Sequence, residues 1–427
     1  MTLSWLSIFR LGAVQMALGA IVVLMTSTLN RLMVVELALP AVLPGLLVAL
    51  HYGIQITRPN WGFLSDTSGR RTFWIVVGMA VLAAGGMLAA TGVWAMEESF
   101  VTGLALSILA YILIGIGVGA SGTSLLALLA TATAPERRPA AATITWLMMI
   151  LGIAATAGIV GAVLEPYSPE RMLTIVAIVA TAAFTVTCLA VWGVERGVQA
   201  ERAPEEQPFL QGLKEVWAER DARRFTIFVF LSMTAYFMQE LILEPYAGLV
   251  FGFTPGQSTS LSGAQNGGVF LGMVTVGIAG TALRIGSLRT WVIAGCLGSA
   301  ATQVGLAALG PLGPGAPLVP VVIAMGFFNG MFAVAAIGSM MALAGQGREK
   351  REGTRMGLWG AAQAIAAGFG GLVGAAAVDT LRTVTADAPA FGAVFLVEAA
   401  LFVAAASMAF RMMSKPSAPD PALVPGE

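Results

Sequence analysis

The stretch GFLSDTSGRR, residues 62–71, lies between two long apolar runs near the start of the chain. We place these runs near 40–58 and 73–94, and each has roughly the 20 residues with which a helix crosses a bilayer. Glycine permits a tight reversal between two helices, and the pair Arg70 and Arg71 suits the anionic cytoplasmic face of a membrane. The stretch therefore predicts a short cytoplasmic connection between two transmembrane helices.

The composition extends this prediction to the whole chain. The 427 residues are 57% hydrophobic and only 11% charged, with a mean hydropathy of +0.84, whereas soluble domains carry about 25% charged residues. The two cysteines, Cys188 and Cys296, lie inside apolar runs and exclude a secreted disulfide scaffold. The apolar runs are unbroken, which argues against the alternating segments of a membrane β-barrel.

The chain divides into an N-terminal six-helix bundle (1–194), a cytoplasmic linker (195–224), a C-terminal six-helix bundle (225–410) and a cytoplasmic tail (411–427). In the linker, residues 208–224 place apolar side chains on one stripe, which predicts an amphipathic helix at the membrane face. The twelve predicted spans lie near 8–29, 40–58, 73–94, 100–130, 140–164, 170–194, 225–250, 262–284, 290–309, 317–345, 354–378 and 390–410.

The distribution of basic residues predicts the orientation of these spans. With both termini in the cytoplasm, 20 of the 23 lysines and arginines fall in cytoplasmic segments. The exceptions are Arg31, Arg171 and Arg382. This asymmetry follows the positive-inside rule and predicts a multi-pass membrane protein with both termini cytoplasmic.

A faint internal repeat favours a duplicated six-helix unit. Three residues before or within the fifth span recur before or within the eleventh, each displaced by the same distance along the chain. The pairs are Glu136 with Glu349, Arg138 with Arg351, and Trp146 with Trp359.

The loop at 62–71 resembles the signature of the major facilitator superfamily, G-x-x-x-D-x-x-G-R-[RK]. The matching residues are Gly62, Asp66, Gly69, Arg70 and Arg71. The resemblance implies the major facilitator fold and a gating latch in which Asp66 engages the N-terminus of the eleventh span near Gly353, with Arg137 or Arg138 nearby. The equivalent loop of the second half, 280–289, has Arg284 in place of the Asp.

Two further stretches resemble a narrower family within that superfamily. They are TSTLNRLMVVEL, residues 26–37, and QELILEPYAGLVFGFTPGQSTSLSG, residues 239–263. Both are similar to the light-harvesting assembly family typified by PucC and LhaA of purple phototrophic bacteria, also called the bacteriochlorophyll-delivery group. The resemblance implies a role in assembling light-harvesting complexes in the intracytoplasmic photosynthetic membrane. The motif residues are Asn30, Arg31, Glu36, Glu240, Glu244 and Pro245.

The charges in these stretches predict a contact between the two bundles. Arg31 follows the first span, while Glu240 and Glu244 lie in the last turns of the seventh. Charged groups facing lipid are costly, so Arg31 paired with either carboxylate is a candidate closure of the outer side. Snorkelling of helix ends to the interface is the alternative, and we treat Glu36 as interfacial.

His51, the only histidine, is a candidate axial ligand for the magnesium of a bacteriochlorophyll. A packed histidine that bonds its neighbours, with Tyr52 and Gln55 nearby, is the alternative. Glutamine and asparagine can also hold chlorin magnesium, so other amides remain rivals. They are Gln15, Gln55, Gln239, Asn266, Asn329 and Gln363.

Three functions remain open at this stage, and an enzyme is not expected because no catalytic constellation is evident. The first is an assembly factor that handles bacteriochlorophyll or a related tetrapyrrole, with light-harvesting polypeptides or pigment-synthesis enzymes and membrane lipid as partners. The second is a proton-coupled transporter of a small apolar metabolite or drug, and the third is an assembly scaffold that transports nothing. A transporter of that kind uses intramembrane carboxylates, which are scarce here, and no nucleic-acid partner is expected.

Overall fold

The computed structural model describes residues 3–58, 60–61, 64–65, 70–134, 137–195, 217–283, 285–344 and 352–412. Within these ranges every regular element is helical, which confirms the all-α prediction for this part of the chain. We call residues 3–195 the first half and residues 217–412 the second half. The predicted amphipathic linker helix, 208–224, lies outside the described residues up to 216, and its last five residues belong to the long helix that begins at Arg220. The tail beyond Met412 also lies outside the described residues.

The described residues form twelve helices of 13 or more residues, and several begin at a serine or threonine whose hydroxyl caps the first turn. Their bounds are α1 Trp5–Val23, α2 Val42–Ile54, α3 Arg71–Glu98, α4 Phe100–Ala132, α5 Arg138–Val163, α6 Pro169–Val191, α7 Arg220–Phe251, α8 Pro255–Gly277, α9 Leu288–Leu309, α10 Leu318–Ala344, α11 Glu352–Arg382 and α12 Asp387–Met412.

Ten helical segments of the described chain are long and apolar enough to cross a membrane. The two other helices are α2, which has 13 residues, and α8, whose first half is rich in Ser, Thr, Gln and Asn. Helix α1 continues through two π-helical stretches, Leu24–Leu29 and Leu32–Glu36. Helix α7 begins at Arg220, ahead of the predicted start at 225.

The two halves meet along three sets of helices. Helix α5 packs against α8, α2 packs against α11, and the π-helical end of α1 packs against α7 and α8. The buried apolar residues form one large cluster in the first half, joined by Leu241, two more in the second half, and two small clusters that join the halves. In the predicted orientation the connections after α1, α5, α7 and α11 share one face, which we call the outer end.

Glycines allow α8 and α10 to pack with their backbones in contact. A Cβ atom at Gly272 would lie 2.0 Å from the carbonyl oxygen of Phe327, and one at Gly330 would lie 2.0 Å from that of Val269. Small residues permit such close approach between helices in lipid, where packing replaces the hydrophobic effect as the attraction.

We expect Gly272→Ala to lower the free energy of unfolding by about 1–3 kcal/mol, because the added methyl forces the two backbones apart. Gly267→Ala is the matched control: it lies in the same helix, and a Cβ there meets no atom within 4 Å. That change is expected to be stabilising by about 0.5–1 kcal/mol, since alanine favours the helix. Unfolding in mixed detergent micelles measures both, and equal effects would contradict the packing argument.

Candidate functional site

The two stretches that carry the family resemblance meet at the outer end of the molecule. The π-helical end of α1 contributes Asn30 and Arg31, which are 0% and 2% exposed, and packs against α7 and the start of α8. Thr28 of α1 also touches Thr259 of α8, with their hydroxyl oxygens 3.1 Å apart. We call this contact between the halves the outer seam. Irregular π-helical turns are frequent at functional sites.

Asn30 and Pro245 are joined through a single backbone carbonyl. Proline has no N–H, so Pro245 leaves the carbonyl of Leu241, one helical turn earlier in α7, without its usual donor. The Nδ2 of Asn30 donates to that carbonyl oxygen at 2.8 Å. A side chain of the first half therefore supplies the hydrogen bond that a helix of the second half lacks.

Arg31 also reaches across the seam, but to a different partner than the sequence predicted. Its Nη2 donates to the carbonyl oxygen of Phe253 at 2.7 Å, just beyond the C-terminus of α7. Its salt bridge is with Glu36 of its own half, with Nη1 and Oε1 2.5 Å apart. Among the described residues Arg31 forms its salt bridge with Glu36 and none with Glu240 or Glu244, because the π-helical turn brings Glu36 next to the guanidinium. Arg31 still interacts electrostatically with the carboxyl of Glu244, so a pairing of these two groups stays a prediction.

The two α7 carboxylates lie at the seam in different surroundings. Glu244 is 2% exposed, and neither carboxylate oxygen has a hydrogen-bond partner among the described residues. Glu240 is half-buried on the same helix. Close by, Gly248 provides space for α1, since a Cβ there would lie 3.0 Å from Val35 and 3.3 Å from the Arg31 guanidinium.

Tyr246, in the LEPYAG stretch at 243–248, fixes α7 inside the second half. It is fully buried and its hydroxyl donates to the carbonyl oxygen of Leu306 in α9 at 2.6 Å. Its ring packs edge-on against Phe251 and Phe395. The tyrosine therefore anchors α7, the helix on the second-half side of the seam, to α9.

A second buried polar cluster lies inside the second half, and the sequence did not predict it. The Nε2 of Gln303 in α9 donates to Gln239 Oε1 at 2.5 Å and to Glu398 Oε2 at 2.7 Å. All three side chains are fully buried. In α9 and α10, the hydroxyl of Ser299 donates to Asn329 Oδ1 at 2.6 Å. Their spacing along the chain did not predict the cluster, because these residues are spread over four helices and are surrounded by apolar residues in each.

His51 lies in α2, packed against α4, and is 1% exposed. Its Nε2 is 2.8 Å from Gln55 Nε2, and the Oε1 of Gln55 accepts from Arg58. Since Arg58 can only donate, the amide nitrogen of Gln55 points to the histidine and Nε2 of His51 is the acceptor. The Nε2 lone pair is therefore engaged by Gln55, while Nδ1 has no hydrogen-bond partner among the described residues. Ligation of a magnesium through Nε2 would require Gln55 to move.

The rival amides are dispersed or already bonded. Gln15 contacts the sulfur of Met149, Asn266 donates to the carbonyl of Ser262, and Gln239 and Asn329 belong to the buried cluster. Gln363 is half-buried in α11.

The gating motif is only partly covered by the structure. Gly62, Asp66 and Gly69 lie outside the described residues, so the Asp66 latch stays a prediction. Arg70 is exposed. Arg71 is buried at the start of α3, and its backbone N–H donates to Glu195 at 2.9 Å.

The remaining predicted cytoplasmic residues are described only in part. The guanidinium of Arg137 lies 5.3 Å from the centre of the Trp5 ring. Arg138 begins α5, but its side chain is outside the described part.

Two residues at the outer end were missed as inter-half contacts by the sequence reasoning. Glu165, after α5, accepts from the backbone N–H of Gly256 at 3.0 Å, and Asp379 of α11 accepts from that of Val42 at 2.7 Å. The internal repeat could have pointed to them, because Glu165 and Asp379 are separated along the chain by nearly the same distance as the members of each repeat pair.

Among the described residues, no group of three or more His, Cys, Asp or Glu is arranged to hold a metal ion. The polar groups that do cluster are amides, hydroxyls and carboxylates bonded to one another or to backbone. Such hydrogen-bonded groups can join neighbouring helices, and they can also bind a polar group of a ligand inside the membrane.

Solved structures confirm the major facilitator fold. A peptide transporter POT bound to alafosfalin has a TM-score of 0.69 at 14% identity, over 96% of both chains. A bacterial homologue of the human lysosomal transporter Spinster, inward-facing and occupied, has a TM-score of 0.70 at 13% identity, over 95% of this chain and 96% of that one. At these identities the likeness concerns the fold alone.

Sequence relatives are closer and span the full length. A Rhodobacter capsulatus protein named "Bacteriochlorophyll synthase 44.5 kDa chain" is 66% identical over 430 residues, covering 100% of both chains. "Protein PucC" of Cereibacter sphaeroides is 30% identical over 423 residues, covering 92% of this chain and 88% of the relative. The family model described as "PUCC protein" matches residues 28–416. This chain therefore belongs to the PUCC protein family, as its TLNR and LEPY stretches predicted.

Proposed function

We propose that this chain is an assembly factor for bacterial light-harvesting complexes, which carries bacteriochlorophyll or a related tetrapyrrole in the membrane and passes it to antenna polypeptides. The observation that carries the proposal is the full-length match, at 66% identity, to a relative whose name places it with bacteriochlorophyll. The family match over residues 28–416 supports the same role. Pigment-synthesis enzymes are the proposed source of the cargo.

The proposed architecture has twelve spans in two six-helix bundles, 1–194 and 225–410, joined by the linker 195–224 and followed by the tail 411–427. Helices α2 and α8 complete the set of ten apolar spans. Each is covered on at least two sides, α2 by α4 and α11 and α8 by α5 and α10. Burial by neighbours removes the need for a fully apolar surface. The proposed location is the inner, intracytoplasmic membrane with both termini cytoplasmic.

A non-enzymatic role suits the side chains that line the seam. The word "synthase" in the relative's name describes that protein, and a synthase needs groups that move protons or activate a substrate. Here Asn30 and Arg31 bond to backbone carbonyls across the seam and so hold helices together. We therefore place the chemistry of pigment synthesis in partner enzymes and the handling of the product in this chain.

The bacteriochlorophyll is treated as cargo, and no fixed magnesium ligand is assigned to it. Ligation through Nε2 of His51 requires that Nε2 leave Gln55 and that α2 separate from α4. The ligand role of His51 and Gln55 thus stays a proposal that depends on this movement.

Absorbance of the purified protein between the Soret and near-infrared bands tests the cargo. We expect bacteriochlorophyll bands after mild purification from a pigment-producing strain, and loss of antenna bands with continued pigment synthesis when the gene is deleted. His51→Leu is expected to lower the bound pigment several-fold if His51 is a ligand, while Gln363→Leu tests one of the rival amides. Unchanged pigment in His51→Leu refutes the ligand role, and intact antenna bands in the deletion strain refute the assembly role.

A proton-coupled transporter is the second candidate, and the buried Glu398 is the observation that favours it. Intramembrane carboxylates often relay protons in transporters, and Glu398 lies fully buried in α12. Colourless protein that moves a small solute into proteoliposomes would support this function. Colourless protein that still binds antenna peptides would support a scaffold that transports nothing.

A further inference from the structure

Asp379 joins the outer end of α11 to the first turn of α2. Its Oδ1 accepts from the backbone N–H of Ala41 at 3.0 Å, and its Oδ2 accepts from that of Val42 at 2.7 Å. The N–H groups of a first helical turn have no partner inside the helix, and the helix dipole makes this end positive. A carboxylate of the second half therefore caps a helix of the first half.

Glu165 makes the reciprocal contact from the first half. It follows α5, and its Oε1 accepts from the backbone N–H of Gly256 at 3.0 Å, in the first turn of α8. The same oxygen accepts from the hydroxyl of Thr254, the N-cap residue of α8. A carboxylate of the first half thus caps a helix of the second half.

The two caps are equivalent positions of the duplicated unit. The separation of Glu165 from Asp379 along the chain equals that of Val42 from Gly256, whose N–H groups these carboxylates cap. This separation differs by a single position from the separation within each pair of the internal repeat. The two capping contacts therefore correspond to each other in the two repeats. The duplicated fold therefore makes the same kind of cap twice, once with Asp379 and once with Glu165. Both caps lie on the same face of the molecule.

We propose that Glu165 and Asp379 are a matched pair of locks that hold the two halves together at the outer end. Opening of the outer face requires both carboxylates to leave the helix termini that they cap. The outer seam lies between the locks, where Arg31 holds the carbonyl of Phe253 and Thr28 touches Thr259. The inference rests on the proposed two-bundle architecture and is independent of the cargo.

The two locks differ in strength. Asp379 is half-buried and makes two backbone bonds, whereas Glu165 is exposed to solvent. Water and salt weaken an exposed charge–dipole contact more than a shielded one. Asp379 is therefore the stronger lock, and its loss has the larger effect.

Accessibility of a cysteine in the seam measures the opening. In a chain carrying Cys188→Ser and Cys296→Ala, Thr259→Cys places one thiol at a fully buried seam position. A membrane-impermeant maleimide is applied to the outer face of spheroplasts. We expect slow labelling with both locks present and a rate about tenfold higher in Glu165→Ala/Asp379→Ala, with most of the increase from Asp379→Ala.

Asp387→Ala is the matched control. It removes a carboxylate at the same membrane level, where Asp387 Oδ1 pairs with Arg382 Nε at 2.7 Å within the second half. Labelling of the Asp387→Ala protein is expected to match the parent. Should the double lock variant not accumulate, Asp379→Asn, which removes the charge and retains the size, is expected to raise the rate severalfold.

Two outcomes overturn the proposal. One is a labelling rate in the lock variants equal to that of the parent, and the other is an equal increase in Asp387→Ala, which would indicate general loosening. Pigment content is recorded on the same preparations. A colourless protein with intact locks would count against the pigment cargo alone, so the two proposals fail separately.

Discussion

Arg31→Ala is expected to lower the free energy of unfolding by about 2–3 kcal/mol, because it removes a charged donor from the buried carbonyl of Phe253. The change also removes a cation that interacts electrostatically with the buried carboxyl of Glu244. Unfolding followed by fluorescence in mixed micelles measures the loss, and antenna absorbance of the complemented strain reports its functional consequence, which we expect to be a severalfold decrease.

Two variants separate the seam contact from simple loss of charge. Glu36 is exposed, so Glu36→Gln breaks the salt bridge but is expected to cost less than about 1 kcal/mol. Arg171→Ala removes an arginine at the outer end that donates to the carbonyl of Pro166 within its own half, and it is expected to be nearly neutral. A cost for Glu36→Gln equal to that of Arg31→Ala would show that the salt bridge, and not the Phe253 carbonyl, stabilises the seam.

Gln303→Leu is expected to lower the free energy of unfolding by about 3 kcal/mol. It leaves Gln239 Oε1 and Glu398 Oε2 without a donor in the fully buried interior of the second half, and each unsatisfied group costs about 1–3 kcal/mol. The same unfolding experiment measures the effect. Gln363→Leu replaces a half-buried glutamine that forms no hydrogen bond with another described residue, and it is expected to change stability little.

Glu398→Gln tests whether this cluster also has a chemical role. The amide retains an acceptor for Gln303, so stability is expected to stay within about 1 kcal/mol of the parent. An assembly factor is expected to support normal antenna levels with this variant, since no proton transfer is required of it. Loss of activity in a stably folded Glu398→Gln protein would instead support the proton-coupled transporter.

The sequence predicted the helices well because each apolar run carries its own signal. Length and hydropathy place α3, α4 and α9 without reference to any other part of the chain, and in the structure Ser99 and Ser287 cap the last two. The two helices outside the set of ten apolar spans are α2, which is short, and α8, which is more polar, and each packs against helices of both halves. Their amino-acid composition alone therefore indicates a membrane span only weakly, whereas their position between the other helices indicates it more clearly.

The contacts at the outer end were harder to predict. The sequence singled out Asn30, Arg31 and Pro245, and it offered a carboxylate of α7 as a candidate partner of Arg31. Across the seam, the partner of Arg31 is the backbone carbonyl of Phe253. Every residue has such a carbonyl, so the amino-acid sequence gives no sign of which one is used. The role of Pro245 is also invisible locally, since the carbonyl that it frees lies 211 positions from Asn30 in the chain.

The sequence by itself determined the class of protein, the order of its helices and the family, because hydropathy and short motifs are local properties. Only the tertiary structure decided which atoms join the halves: the Leu241 carbonyl with Asn30, the Phe253 carbonyl with Arg31, and the two helix termini with Glu165 and Asp379. The physical reason is that most faces of these helices are similarly apolar. The rotation of each helix is therefore set by packing against distant partners, and that rotation decides where every polar side chain points.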